Sequence, residues 1–227
     1  MAFFSDGYLF GISNLLMYFL SLITFIIGLK FRKKHKEISH LYIYSLASFL
    51  QTTISNSFYV REFSGIEISY NMTELSISIF IIIEFSCIYF FFLKSKIING
   101  LAKTGLYFLF VAFVAYYIFE LFTVKNFVYS IKGFYFFDSC LIVIPCFIYI
   151  FKLFVNPPTL NLLNEPSFWF NSGVLIFLTL TLPFFFVIKY FISDHGTLSL
   201  TIVNSLGYCL VFSFLIRAYL CKRQTTI

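Results

Sequence analysis

Apolar residues run in seven blocks along the chain, separated by short connections that hold most of the charge. Each block is long enough to cross a hydrocarbon core, which takes ~20 residues of helix. The blocks are Tyr8 to Lys30, Leu41 to Val60, Glu74 to Lys94, Thr104 to Val124, Gly133 to Phe154, Phe168 to Tyr190 and Leu198 to Arg217. The pattern predicts an all-α fold, a polytopic bundle of seven transmembrane helices that uses residues 1–227 as a single domain. No connection is long enough for a catalytic or nucleic-acid-binding appendage, so output would pass through a partner.

Composition agrees with this pattern. The chain is 60% hydrophobic and 11% charged, where a soluble domain carries about 25% charged residues. The net charge of +6 does not imply nucleic-acid binding once the basic residues are placed, because they cluster by side. Lys30, Arg32, Lys33, Lys34, Lys36, Lys94, Lys96, Lys103, Lys152, Arg217, Lys222 and Arg223 flank one end of the spans; Arg61, Lys125, Lys132 and Lys189 flank the other. The positive-inside rule then predicts an outside N-terminus and an inside C-terminus in a multi-pass protein of the cell membrane. Asp6 stands where a cleaved signal would carry basic residues, so the first span is expected to be a retained anchor.

Cys87, Cys140, Cys146 and Cys209 lie inside spans and Cys221 in the tail, which offers no pair to an oxidising outer loop. Two short patterns, the Asn71-Met-Thr73 sequon and Cys221 as an acylation site, have meaning only in a eukaryotic setting. The connection Asn156 to Pro166 carries paired prolines and predicts a rigid bend. Pro145 and Pro183 fall inside the fifth and sixth spans, where each removes a backbone hydrogen bond; they are either plain kinks or hinges. No internal repeat aligns the halves of the chain. Gly11, Gly28, Gly105, Gly173 and Gly207 stand singly, so packing is expected to rely on interdigitated aromatics.

Ionisable residues inside spans are the functional candidates, since a carboxylate at the bilayer centre costs ~2.5 to 3.5 kcal/mol on insertion scales. Glu84 sits mid-span among Ile81, Ile82, Ile83 and Phe85 and must face the bundle or be protonated. Depths counted from each span's midpoint at ~1.5 Å per residue put Asn14, Asn56, Glu120, Asp138 and Asn204 in one layer toward the outer side. Helical spacing extends that layer through Tyr44, Ser48, Gln51, Ser55 and Tyr59 on the second span and Thr197, Thr201, Asn204 and Tyr208 on the seventh. The expected site is an outward-opening polar pocket formed by Glu84, Asp138, Gln51, Asn56, Asn204, Tyr208, Asn14 and Glu120, with Pro145 and Pro183 as hinges. The competing reading for the Asn and Ser members is mutual hydrogen bonding between helices, and for Glu74 and Glu120 solvation at the outer boundary. Trp169 is read as an interface anchor at the inner end of the sixth span.

Catalysis has little support. His35 and His40 lie on an inner connection and His195 on an outer one, so they cannot form a metal site, and neither metal nor cofactor is expected. Ser193-Asp194-His195 is read as a polar turn, because it lacks the supporting groups of a triad. The rhodopsin-like plan has seven helices, yet the seventh span here has no lysine for a retinal Schiff base. The third span ends Phe-Phe-Leu-Lys rather than Asp-Arg-Tyr, and no Pro-Gln pair marks a sugar-transporter half.

Glu84-Phe85 with Tyr89-Phe90-Phe91-Phe92, followed by Asn-Glu-Pro-Ser-Phe-Trp-Phe-Asn-Ser-Gly from Asn164 to Gly173, resembles a group of small uncharacterised seven-helix proteins of Bacteroidota, some similar to the membrane parts of sensor kinases. The resemblance covers the whole chain and implies a membrane sensor or its partner. The expected function is a sensory or receptor-like membrane module that signals to a protein on the cytoplasmic side. The alternatives are a small-solute or proton-coupled transporter and a structural subunit of a membrane complex.

Overall fold

The computed structural model describes the backbone of residues 2–33, 36, 38–63, 70–95, 97–123, 127–157, 161–190 and 194–221. It describes side chains for residues 11–33, 36, 38–55, 57, 76–95, 97–119, 138–157, 161–183 and 202–221. Among these residues the fold is all-helical. Seven helices follow the apolar blocks closely: α1 Ala2–Phe31, α2 Leu41–Phe63, α3 Tyr70–Lys94, α4 Leu101–Thr123, α5 Phe127–Val155, α6 Pro166–Tyr190 and α7 Asp194–Leu220. By length and composition, α1, α3, α4, α5 and α7 can each cross a membrane within the described residues, while α2 and α6 coincide with the second and sixth apolar blocks.

The exposed surface is what lipid requires. Ile12, Leu15, Phe19, Ile23 and Ile26 form an open stripe along α1, and Phe108 on α4 and Phe151 on α5 are about three-quarters exposed, at 74% and 70%. A monomer in water does not sustain apolar stripes of this kind. The helices are consistent with an integral membrane protein, in which association comes from close packing rather than from hydrophobic collapse.

Helix pairing runs α1 to α2, α2 to α3, α3 to α5, α5 to α6, α6 to α7 and α7 back to α1, which closes a ring of six, while α4 leans on α3 and α5 from outside. Aromatics fill the interior, as in the run Phe113, Phe85, Tyr89, whose neighbouring ring centroids lie 3.9 and 4.2 Å apart. The single glycines also matter. A Cβ on Gly28 would stand 2.8 Å from Tyr42 Cβ, one on Gly173 would stand 2.7 Å from Phe214 Cβ, and one on Gly207 would stand 2.6 Å from the Phe177 ring. Aromatic packing therefore depends on three positions that lack a side chain, whereas Gly11 and Gly105 have nothing within 4 Å.

The connections at the basic end are tied to the helices. The Tyr219 hydroxyl donates to Ile38 O at 3.3 Å, and Ile38 is fully buried. Within the proline-rich bend, Asn161 caps a 3₁₀ turn, Leu162–Asn164, and accepts from Leu163 N at 3.0 Å. Pro166 then opens α6, at the helix position where its missing N–H costs nothing. The Trp169 indole N–H donates to Leu163 O at 2.7 Å, and the Arg217 guanidinium sits 5.4 Å from its ring. The tryptophan thus joins the bend, α6 and α7. The polar turn expected at Ser193-Asp194-His195 is corrected, because Asp194 and His195 form the first turn of α7; Ser193 lies outside the described residues.

His40, just before α2, reaches across to α3, where its Nε2 lies 3.1 Å from Cys87 O. Burial holds its imidazole down to about 4, opposed by the Cys87 hydrogen bond and helped by the nearby Lys94 ammonium. A histidine whose folded pKa lies below its unfolded value near 6.5 favours the unfolded chain as it protonates. The stabilisation is present above about pH 6.5 and is lost as pH falls toward about 4. Thermal melting in mild detergent is expected to show a loss over that window in wild type and a flatter profile in His40→Gln, and matching profiles would contradict it.

Candidate functional site: a carboxyl pair at a junction of five helices

Glu84 lies at the centre of the ring, 3% exposed. Its two oxygens are held from two sides: the Tyr44 hydroxyl of α2 donates to Oε1 at 3.2 Å and the Tyr208 hydroxyl of α7 donates to Oε2 at 2.8 Å. An acceptor role at both oxygens is the arrangement an ionised carboxylate takes. The phenols are fixed by ring contacts, Tyr44 to Phe212 at 5.5 Å and Tyr208 to Phe177 at 4.6 Å between centroids.

Asp138 of α5 belongs to the same site. It is 3% exposed, the charge of Glu84 acts on it, and its Oδ1 has no hydrogen-bond partner among the described residues. Glu84 and Asp138 line one cavity with Tyr44, Tyr208 and Ser139, and Val174, Phe177 and Leu178 of α6 form an apolar wall. The cavity measures about 10 Å³, room for one water-sized occupant. Among the described residues its lining contains no Lys, Arg or His, so negative charge on the pair meets no cation among them.

Pro145, two turns along α5 from Asp138, opens the helix backbone. Having no N–H, Pro145 leaves the Leu141 carbonyl without its usual helical donor. The Tyr89 hydroxyl of α3 supplies a replacement, donating to Leu141 O at 3.1 Å. This ties the proline of α5 to the helix that carries Glu84. Tyr89→Phe is expected to destabilise the wild type by about 1 kcal/mol. It should have almost no effect in a Pro145→Ala background, where the alanine N–H satisfies the carbonyl. Equal losses in the two backgrounds, measured by unfolding in detergent, would contradict the pairing. Pro183 instead lies on the exposed side of α6.

The expected site residues therefore divide. Glu84, Asp138 and Tyr208 come together, and Tyr44 completes them; it stood in the second-span stripe but outside the expected site. Gln51 donates to Ser55 within α2 at 3.1 Å. Asn14 accepts from Ser205 at 2.8 Å and so joins α1 to α7. Asn204 is one helical turn from Tyr208, and its Oδ1 is buried without a partner among the described residues. Gln51, Asn14 and Asn204 do not line the Glu84 cavity. The side chains of Asn56 and Glu120, and with them much of the expected outward pocket, lie outside the described residues. Among those described, no group of three or more His, Cys, Asp or Glu is placed to hold a metal ion. No protein-family model, curated protein or solved structure matches the chain.

Proposed function

We propose that the protein is a sensory, receptor-like membrane module whose responsive centre is the Glu84–Asp138 pair. The observation that carries this reading is the meeting of α2, α3 and α7 at Glu84, with Asp138 of α5 lining the same cavity and no side-chain cation in the lining among the described residues. A carboxylate at bilayer depth is too costly to keep for packing alone. A change in its compensating charge alters hydrogen bonds to two neighbouring helices at once. Asp138 passes that change to α5 above Pro145, and α5 packs on α6. The signal then leaves at the basic end toward a protein partner.

Trp169, the only tryptophan, is a built-in reporter at the start of α6. In lipid nanodiscs its emission is expected to shift with pH in wild type and to lose that shift in both Glu84→Gln and Asp138→Asn. An invariant emission, or a shift that persists in both variants, would overturn the reading. The small polar cavity also favours a second reading, an ion-coupled transporter. Flux into liposomes that is abolished by Glu84→Gln would select that reading instead.

A further inference from the structure

We infer that the Glu84–Asp138 cavity is a binding site for one desolvated monovalent metal cation. The inference deepens the reading of the pair as a responsive centre by naming its ligand. It rests on charge, oxygen supply and space. Both Glu84 oxygens accept a phenol hydrogen yet retain further lone pairs, and among the described residues the cavity lining holds no Lys, Arg or His. Asp138 Oδ1 is buried, unpartnered and part of the same lining. It can donate a lone pair to a cation even when the other Asp138 oxygen carries a proton. Ser139 adds a hydroxyl.

These are hard oxygen ligands, which suit alkali and alkaline-earth ions rather than zinc or copper. A divalent ion of the calcium type takes six to eight oxygens, more than a cavity of about 10 Å³ with one apolar wall can present. A single positive charge is the smallest occupant that compensates Glu84. The site therefore selects a monovalent ion over a divalent one. Among the described residues, the charge of the pair acts on Tyr44 of α2 and on Cys87 and Tyr89 of α3, and Tyr208 of α7 hydrogen-bonds to it; the α6 wall is apolar.

The test is melting of the purified full chain in mild detergent at fixed pH and ionic strength, with sodium chloride replacing choline chloride. Wild type is expected to gain about 4 °C or more at saturating sodium. Asp138→Asn and Ser139→Ala should reduce the gain, and broadening of the sodium NMR signal should be lost in parallel. Should Asp138→Asn fail to fold, Ser139→Ala and the NMR signal decide. Equal melting in sodium and choline, or an unchanged sodium gain in the variants, overturns the site. So does stabilisation by acid alone, which would show that a proton fills the pair. Sodium-dependent melting with a Trp169 emission that does not move would keep the cation site and reject the sensory reading.

Discussion

Gly173→Val is expected to keep α6 from seating on α7. The first atom of the new side chain would stand 2.7 Å from Phe214 Cβ and 3.6 Å from Val211 Cα. Neither is the free end of a side chain, so only a shift of one helix relieves the clash. Overpacking of this kind costs about 1 to 3 kcal/mol, and α6–α7 is a contact on which the site depends, since Phe177 and Tyr208 touch across it. Gly105→Val is the control, because nothing lies within 4 Å of its Cβ and valine is a better helix former than glycine. Melting in mild detergent should separate the two clearly, with Gly173→Val far below wild type and Gly105→Val at or slightly above it. Equal melting would show that α6 and α7 do not approach so closely.

Removing the phenol donors is the second large effect. Hydrogen bonds to charged groups contribute about 1.5 to 3 kcal/mol in soluble proteins, whereas polar contacts inside membranes average about 0.6 and reach about 1.7. The 2.8 Å bond from Tyr208 belongs at the upper end of the membrane range and the 3.2 Å bond from Tyr44 lower. Tyr208→Phe alone should therefore cost about 1.5 kcal/mol. The double change with Tyr44→Phe should cost more than the sum, on the order of 3 kcal/mol, because it leaves a buried carboxylate with neither phenol. Repeating the double change in Glu84→Leu should be close to neutral, since the phenols there have no carboxylate to satisfy. A loss of similar size in that background would mean that the tyrosines act by packing.

The helices were legible because length and apolarity suffice: every span read from the sequence lies within or within a residue of a described helix. Glu84 was legible for the same reason, as a carboxylate far from either end of its span. Tyr44 falls outside the site that the sequence predicts, and the cause is the stagger of the helices. Counting depth from each span's own midpoint places all spans on one plane. That puts Tyr44, three residues into α2, about 10 Å from the level of Glu84, ten residues short of the end of α3. The contact of His40 with Cys87 O shows that α2 instead begins well inside the end of α3, which brings Tyr44 level with Glu84. Stagger is set by tertiary packing and leaves no mark in a single sequence. The role of Tyr89 was hidden differently: Pro145 announces a freed carbonyl, but only the fold says which side chain reaches it.

The most direct measurement is the thermal stability of Glu84→Gln against wild type in one mild detergent. Glutamine keeps the shape, accepts from one phenol and donates to the other, so the hydrogen bonds of Tyr44 and Tyr208 survive while the buried charge is removed. If the carboxylate is kept for response rather than for folding, the variant should be as stable as wild type or more so, as neutral replacement of buried charge often is. A variant that unfolds markedly earlier would make Glu84 a structural residue and would contradict the account at its centre.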